Sequence, residues 1–286
     1  MAVNPSGKRP WTFYLLAAFF TLFVLFLYGP MSMIYLLSFQ GPMGGLTLPM
    51  EGVSLHWFKA LLSQQRTGDL AGAFVRSVGL AAIVVLVTVV FTVMAGLGFR
   101  RRFTGAGPLF YMTIASLIMP GLLVGLGIGL TFQLFGWTAD WYSSGLAAQL
   151  TWTLPYGLLI MFAVLGRFNK SYEEAARDLG ATSWQCFCHV VLPIVLPGVI
   201  GVALFSFTLA YDEFPRTLLT AGSHNTLPLE IWSMTTNVTS PALYAVGTLT
   251  TVISLVVIGV GLCSIAMIQR RRVEGLGGRR ESGSGS

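Results

Sequence analysis

Apolar residues along the chain gather into six long runs, at 13–39, 70–99, 108–135, 146–165, 191–219 and 242–268, separated by polar connections. A helix needs about 20 predominantly apolar residues to cross the hydrocarbon core of a bilayer, and each run reaches that length. The pattern predicts an all-α polytopic membrane protein of six transmembrane helices over residues 13–268. A polar N-terminal tail, 1–12, precedes it. A basic, Gly- and Ser-rich tail, 269–286, follows and is expected to lack regular structure; its end, Gly283-Ser284-Gly285-Ser286, has the composition of a flexible linker. The first run follows Lys8 and Arg9 as a signal peptide would. It is too long for an h-region and lacks a clear small-residue cleavage site, so it reads as a retained anchor.

Several runs carry helix breakers. Gly29-Pro30 predicts a kink or wide turn in the outer half of the first, Met119-Pro120-Gly121 must disturb the hydrogen-bond ladder of the third, and Pro155 interrupts the fourth. Gly121, Gly125 and Gly129 repeat at four-residue spacing, a stripe that permits close helix crossing and also occurs in broken spans lining transport pathways. Between the first two runs, Leu55, Phe58, Leu61 and Leu62 share one helical face, which predicts a short helix lying on the outer membrane surface.

The connection at 167–192 is the most informative. Ser171-Tyr172-Glu173-Glu174 has capping-box spacing, and Gly180 is placed to end the helix begun there, giving about two turns. Tyr172, Ala175, Ala176 and Leu179 fall on one face with two small residues at its centre, while Glu173, Arg177 and Asp178 point elsewhere. A second capping box, Thr182-Ser183-Trp184-Gln185, starts another short helix that leads through Pro193 into the fifth run.

Charge adds orientation. The chain is 54% hydrophobic and 10% charged, with a formal net charge of +6, and its mean hydropathy is +0.73. Lys8, Arg9, Arg100, Arg101, Arg102, Arg167, Lys170, Arg177, Arg270, Arg271, Arg272, Arg279 and Arg280 lie on alternate connections or tails, leaving Lys59, Arg66, Arg76 and Arg216 for the other side. By the positive-inside rule both termini and the 167–192 loop are cytoplasmic. Topology and anionic lipid account for the excess of basic residues, so no nucleic-acid partner is implied. Cys186-Phe187-Cys188-His189 lacks a second ligand pair for a metal and reads as structural. No G-x-x-x-x-G-K-[ST] loop is present, so ATP is not expected to bind this chain.

Glu174-Ala175-Ala176, three residues, Gly180, nine residues, Val190, one residue and Leu192-Pro193 together resemble the EAA loop of the inner-membrane permease subunits of bacterial ABC importers. The resemblance implies a type I permease fold in which Glu173, Glu174, Ala175, Ala176, Arg177, Asp178, Leu179 and Gly180 form the helix that couples to a cytoplasmic ATPase. Glu173 and Glu174 would anchor that helix electrostatically, Ala175 and Ala176 would allow close approach, and Gly180 would make the turn. The implied assembly has a second permease subunit, two ATP-binding cassette subunits that bind ATP and Mg, and an external solute-binding protein. No cofactor is implied on this chain.

Tyr211-Asp212-Glu213-Phe214 with the stretch from Thr226 to Met234 is similar to the C-terminal half of permeases for spermidine and putrescine and of their opine-transporting relatives; ferric iron and sulfate permeases carry related sequences. The stretch from Thr239 to Thr248 is part of the same resemblance. For a polycation, Asp212 or Glu213 would attract ammonium groups and Tyr211 or Trp232 would offer an aromatic face. Either these acids line a pathway, or they form a solvated helix end with Arg216 paired to Asp212 four residues before it. A secondary transporter would instead need ion-coupling groups within its spans, which are not evident. An intramembrane enzyme would need convergent reactive groups, whereas His56, His189 and His224 are scattered outside the runs.

Overall fold

The computed structural model describes residues 10–62, 69–100, 103–237 and 240–282, so Lys8, Arg9, Arg66, Arg101, Arg102 and the final Gly-Ser residues lie outside the described residues. The described residues are α-helical, and among them five helices are long and apolar enough to cross a membrane, six when one bent pair is counted as a single span. It divides into two compact units, 1–67 with 234–252, and 68–233 with 253–286.

In the first unit, α1 (Trp11–Leu37) runs through Pro30 as one helix, so the chain makes no wide turn at Gly29-Pro30. Most of α1 exposes bare apolar side chains, as a lipid-facing helix does. The chain after it wraps around Gln40, a fully buried side chain whose amide donates to the Gly45 carbonyl and accepts from the Glu51 N–H. A single bridge pairs Gln40 with Val53. The expected short helix is α2 (His56–Leu62). Tyr244, near the start of α11 (Ala242–Ser282), ties back by its hydroxyl to the Leu46 carbonyl at 2.9 Å.

The second unit is built on three mutually packed helices, α3 (Leu70–Phe99), α6 (Leu146–Gly166) and α9 (Leu192–Tyr211). Their contact faces bury small and hydroxylic residues alongside larger ones such as Leu80, Met161 and Tyr211. Ala73, Ser77, Ala81, Val84, Thr88, Thr92 and Gly96 line one face of α3. A Cβ on Gly157 of α6 would lie 2.8 Å from Thr92, 2.9 Å from Thr88 and 3.2 Å from Val202, so the three helices converge where this residue has no side chain. In lipid, where apolar area gives no advantage of one packing over another, such close approach and buried hydroxyl bonds supply the association. Thr88 donates to Thr153 across α3 and α6 at 3.0 Å. Pro155 is accommodated inside α6 without ending it.

The third apolar run is two helices, α4 (Ala106–Ile118) and α5 (Gly121–Leu134), bent by 105° at Met119-Pro120. This exceeds the local disturbance expected from the sequence: Met119 turns extended before the proline, as steric clash with the ring requires, and α5 restarts in a new direction. The fifth run also ends early. Helix α9 stops at Tyr211 rather than reaching Leu219, and the chain continues through a single 3-10 turn, Thr217–Leu219. Helix α10 (Leu227–Asn237) precedes α11, which extends to Ser282. The tail from 269 to 282 is therefore helical rather than irregular, since Arg and Glu continue the α11 backbone ladder.

Candidate functional site

The loop between α6 and α9 forms α7 (Ser171–Asp178) and α8 (Ser183–Cys186). Helix α7 has the expected two turns, and Gly180 ends it in the left-handed region at φ 84°. Its N-terminal cap differs from the expectation. Ser171 is already helical, and its N–H donates to the Asn169 side-chain oxygen, so Asn169 supplies the acceptor. The second box is formed as predicted: Gln185 donates its N–H to Thr182 Oγ1, and the Thr182 N–H donates to the Gln185 side chain. A π-helical turn, Phe187–Val191, then joins α8 to α9.

Two sides of α7 have different fates. Ala176 packs against a core of Met161, Leu165, Phe168, Cys186, Val191 and Val195. Cys186 is buried there with its sulfur 4.0 Å from the Glu173 carbonyl oxygen, in keeping with a structural role. Tyr172, Ala175, Glu174, Arg177, Asp178 and Leu179 face outward, with Leu179 90% exposed and Trp184 of α8 72% exposed. Aromatic and aliphatic side chains are thus exposed there beside small and acidic residues.

Glu173 does not join that face. It turns inward and pairs with Arg100, at the end of α3, at 2.5 Å, with side-chain exposures of 15% for Arg100 and 19% for Glu173. Within the chain its charge is therefore paired with Arg100. The Arg100 guanidinium also lies 4.9 Å over the Phe168 ring, which joins the end of α3 to the chain leaving α6. Beside this pair is a cleft of about 500 Å³ lined by Leu97, Gly98, Lys170, Glu174, Arg177 and Phe187, among others. Arg100 was legible only as a basic stop after an apolar run; its contact with a residue 73 positions later left no sequence signal.

The second candidate group sits at the far end of α9, about 30 Å from that helix's start at 1.5 Å rise per residue. Tyr211 is buried and stacked on Phe207, Asp212 caps α9 and is exposed, and Glu213 is buried. Trp232 reaches the same region, its ring 5.4 Å from Phe214. Of the two neighbouring acids, Arg216 pairs with Glu213, at 3.2 Å, because α9 has ended and the intervening turn brings i and i+3 together. The guanidinium lies 4.4 Å over Trp152 of α6. The glycine stripe of α5 docks on the same segment: a Cβ on Gly125 would meet the Arg216 carbonyl at 2.7 Å, and one on Gly129 the Leu219 carbonyl at 2.9 Å. Trp152 belonged to an apolar run like any other ring, and nothing in the pattern singled it out.

Nearby, the start of α3 is fastened to the loop before α10. Arg76 bonds Asp69 at 2.7 Å and the Asn225 carbonyl at 2.8 Å, while Asn225 donates to Glu230, which accepts from the Asp69 N–H. The Arg76 guanidinium holds the Asp69 carboxyl below its ordinary pKa, against a smaller opposing effect of desolvation.

Apolar spans packed through small residues, one of them sharply broken, with a short docked helix between α6 and α9, define an α-helical membrane permease. The chain belongs to the family of binding-protein-dependent transport system inner membrane components, whose pattern matches residues 88–274. It is therefore a multi-pass inner-membrane transport subunit and not an enzyme. It is 30% identical over 258 residues to the putrescine transport system permease protein PotI of Escherichia coli (strain K12), covering 86% of this chain and 87% of that one. It is 29% identical over 248 residues to the spermidine/putrescine transport system permease protein PotC of Haemophilus influenzae, covering 86% and 94%. Among solved structures, a bacterial ABC transporter involved in import of the acidic polysaccharide alginate shares the fold, with a TM-score of 0.68 at 14% identity over 93% of this chain and 99% of that one.

Proposed function

We propose that this chain is one of two different permease subunits of an ATP-driven polyamine importer, served by two ATP-binding cassette subunits and an external solute-binding protein. ATP and Mg are held on the cassette subunits. Both termini and α7 face the cytoplasm, a reading supported by the placement of Arg100, Arg167, Lys170 and Arg177 around α7. The observation that carries the proposal is α7 itself: a two-turn helix whose inner side is fixed to α3 and the core while Tyr172, Ala175 and Leu179 remain on a free-standing face. The names of the polyamine-transporting relatives support the solute class.

Transport proceeds by alternating access. ATP and solute each bind one permease state better than the other, since equal affinity for both would shift nothing. Closure of the cassette dimer moves α7, and the continuous helical run from α8 into α9 carries that motion to the end of α9, where the exposed Asp212 carboxylate and Trp232 ring are offered to a cationic solute and Glu213 and Tyr211 lie buried.

The test is uptake of radiolabelled putrescine into liposomes containing the assembled transporter. ATP-dependent uptake that requires the binding protein is the expected result. Uptake that persists without ATP and collapses with an ionophore would indicate a secondary transporter, and ATP-driven uptake of an opine, ferric iron or sulfate in place of putrescine would reassign the solute.

A further inference from the structure

The Arg216 guanidinium occupies a box whose walls are an acid and an aromatic face. The buried carboxylate of Glu213 accepts from Arg216 Nη1 at 3.2 Å and from the Arg216 N–H at 3.0 Å, and Trp152 presents its ring face 4.4 Å from the guanidinium carbon. Trp152 is itself oriented by its indole N–H, which donates to Gln149 Oε1 at 3.3 Å; Gln149 is fully buried. One carboxylate and one ring face are the elements that recognise an ammonium ion. The guanidinium satisfies them incompletely, because its Nε–H is buried and bonds nothing. A planar fork with five donors prefers two acceptors in a plane, whereas a compact ammonium needs no such geometry.

The box also lies where the spans are joined. Gly121, the first residue of α5 after the 105° bend, would carry a Cβ only 2.9 Å from Arg216 Nη1, and Gly125 stands against the Arg216 carbonyl. Arg216 thus touches α5, α6 and the end of α9 together.

We infer that Arg216 is a tethered cation filling an ammonium site made by Glu213 and Trp152, and that a substrate ammonium displaces it during transport, freeing the outer end of α9 from the start of α5. This rests on the polyamine reading and adds to it a named site, its resident occupant and an exchange. The exchange keeps the buried carboxylate paired throughout: one cation leaves as another arrives, so the large penalty for an uncompensated buried charge is avoided. Asp212, exposed one residue from Glu213, adds a negative field that draws cations to the entrance.

The test uses the intact transporter in nanodiscs. Phenylglyoxal labelling of Arg216, read by peptide mass spectrometry, should be slow without substrate, because Arg216 is 6% exposed. Saturating putrescine should raise it about tenfold, and sodium chloride at equal ionic strength should not. Removing the competitor with Arg216→Gln should tighten equilibrium binding of putrescine, measured without the solute-binding protein, by about tenfold, and Trp152→Leu should weaken it by a similar factor. ATP-driven putrescine uptake accompanied by unchanged Arg216 labelling, or by unchanged or weaker binding in a well-assembled Arg216→Gln transporter, overturns the exchange while leaving the importer in place. Failure of the wild-type transporter to take up putrescine at all removes the polyamine reading and the exchange with it.

Discussion

The second unit holds two arginine–glutamate pairs, one near the coupling loop and one at the other end of α9, and each guanidinium lies over an aromatic ring. Arg100 and Glu173 come from elements 73 positions apart and retain some contact with water, at 15% and 19% side-chain exposure. Arg216 and Glu213 are three positions apart and exposed by only 8% and 4%. The first pair joins distant segments at modest cost of desolvation, so it behaves as a strut between α3 and α7. The second is local in sequence but enclosed, so its partners depend on one another far more strongly. Similar chemistry therefore serves positioning at one end and guarded burial at the other, and burial makes the difference.

The comparison is broken most severely by Glu213→Ala, which leaves Arg216 buried and unpaired. A loss of about 3–5 kcal/mol is expected, visible as a large fall in thermal unfolding temperature, and a near-normal transition would show that the pair is solvated after all. Gly125→Leu should come next. Its added side chain meets the Arg216 backbone rather than a flexible tip, and overpacking of this kind amounts to about 1–3 kcal/mol. At the loop end, Gly180→Leu forces an L-residue into φ 84° with open space around it. The strain, about 1–2 kcal/mol, is local, so the membrane helices should keep their unfolding temperature while co-purification of the cassette subunits is lost.

Glu173→Gln is expected to reduce stability by about 1 kcal/mol or less, as for partly solvated pairs. Its signature is functional: ATP turnover continues while uptake per ATP falls, and Arg100→Gln added to it should bring no further loss. A double variant markedly worse than either single one would show that the two residues act separately. The smallest effect belongs to Asp69. Its carboxyl is held below the ordinary value by Arg76, so its contribution is present above that ordinary value and disappears as pH falls through the lowered one. Unfolding temperature measured across the acid range should decline less steeply in Asp69→Asn than in the wild type.

Much of the architecture was readable from local pattern. The long apolar runs appear as helices, Thr182 and Gln185 form their reciprocal cap, and Gly180 takes the left-handed conformation its position called for. The candidate site was only half readable. Its residues stand out as a group in the sequence, but the pairing of Glu173 with Arg100, the choice of Glu213 over Asp212 by Arg216, and the Asn169 oxygen that accepts from the Ser171 N–H do not. In each case several side chains of suitable chemistry lay within reach along the chain, and the choice fell to backbone direction: where α9 stops, and which side of α7 meets the core.

Sequence alone determined the properties that depend on neighbours along the chain, namely span length, helix termination at Gly180 and the excess of positive charge around the 167–192 loop. Tertiary structure alone decided the depth of the bend at Pro120, the seat of the glycine stripe on the Arg216–Leu219 backbone and the partners of Arg100 and Arg216. The physical reason is range. Backbone hydrogen bonding and helix periodicity act over four residues, whereas the pairing of a charge is fixed by whatever the packed helices leave beside it once water has gone.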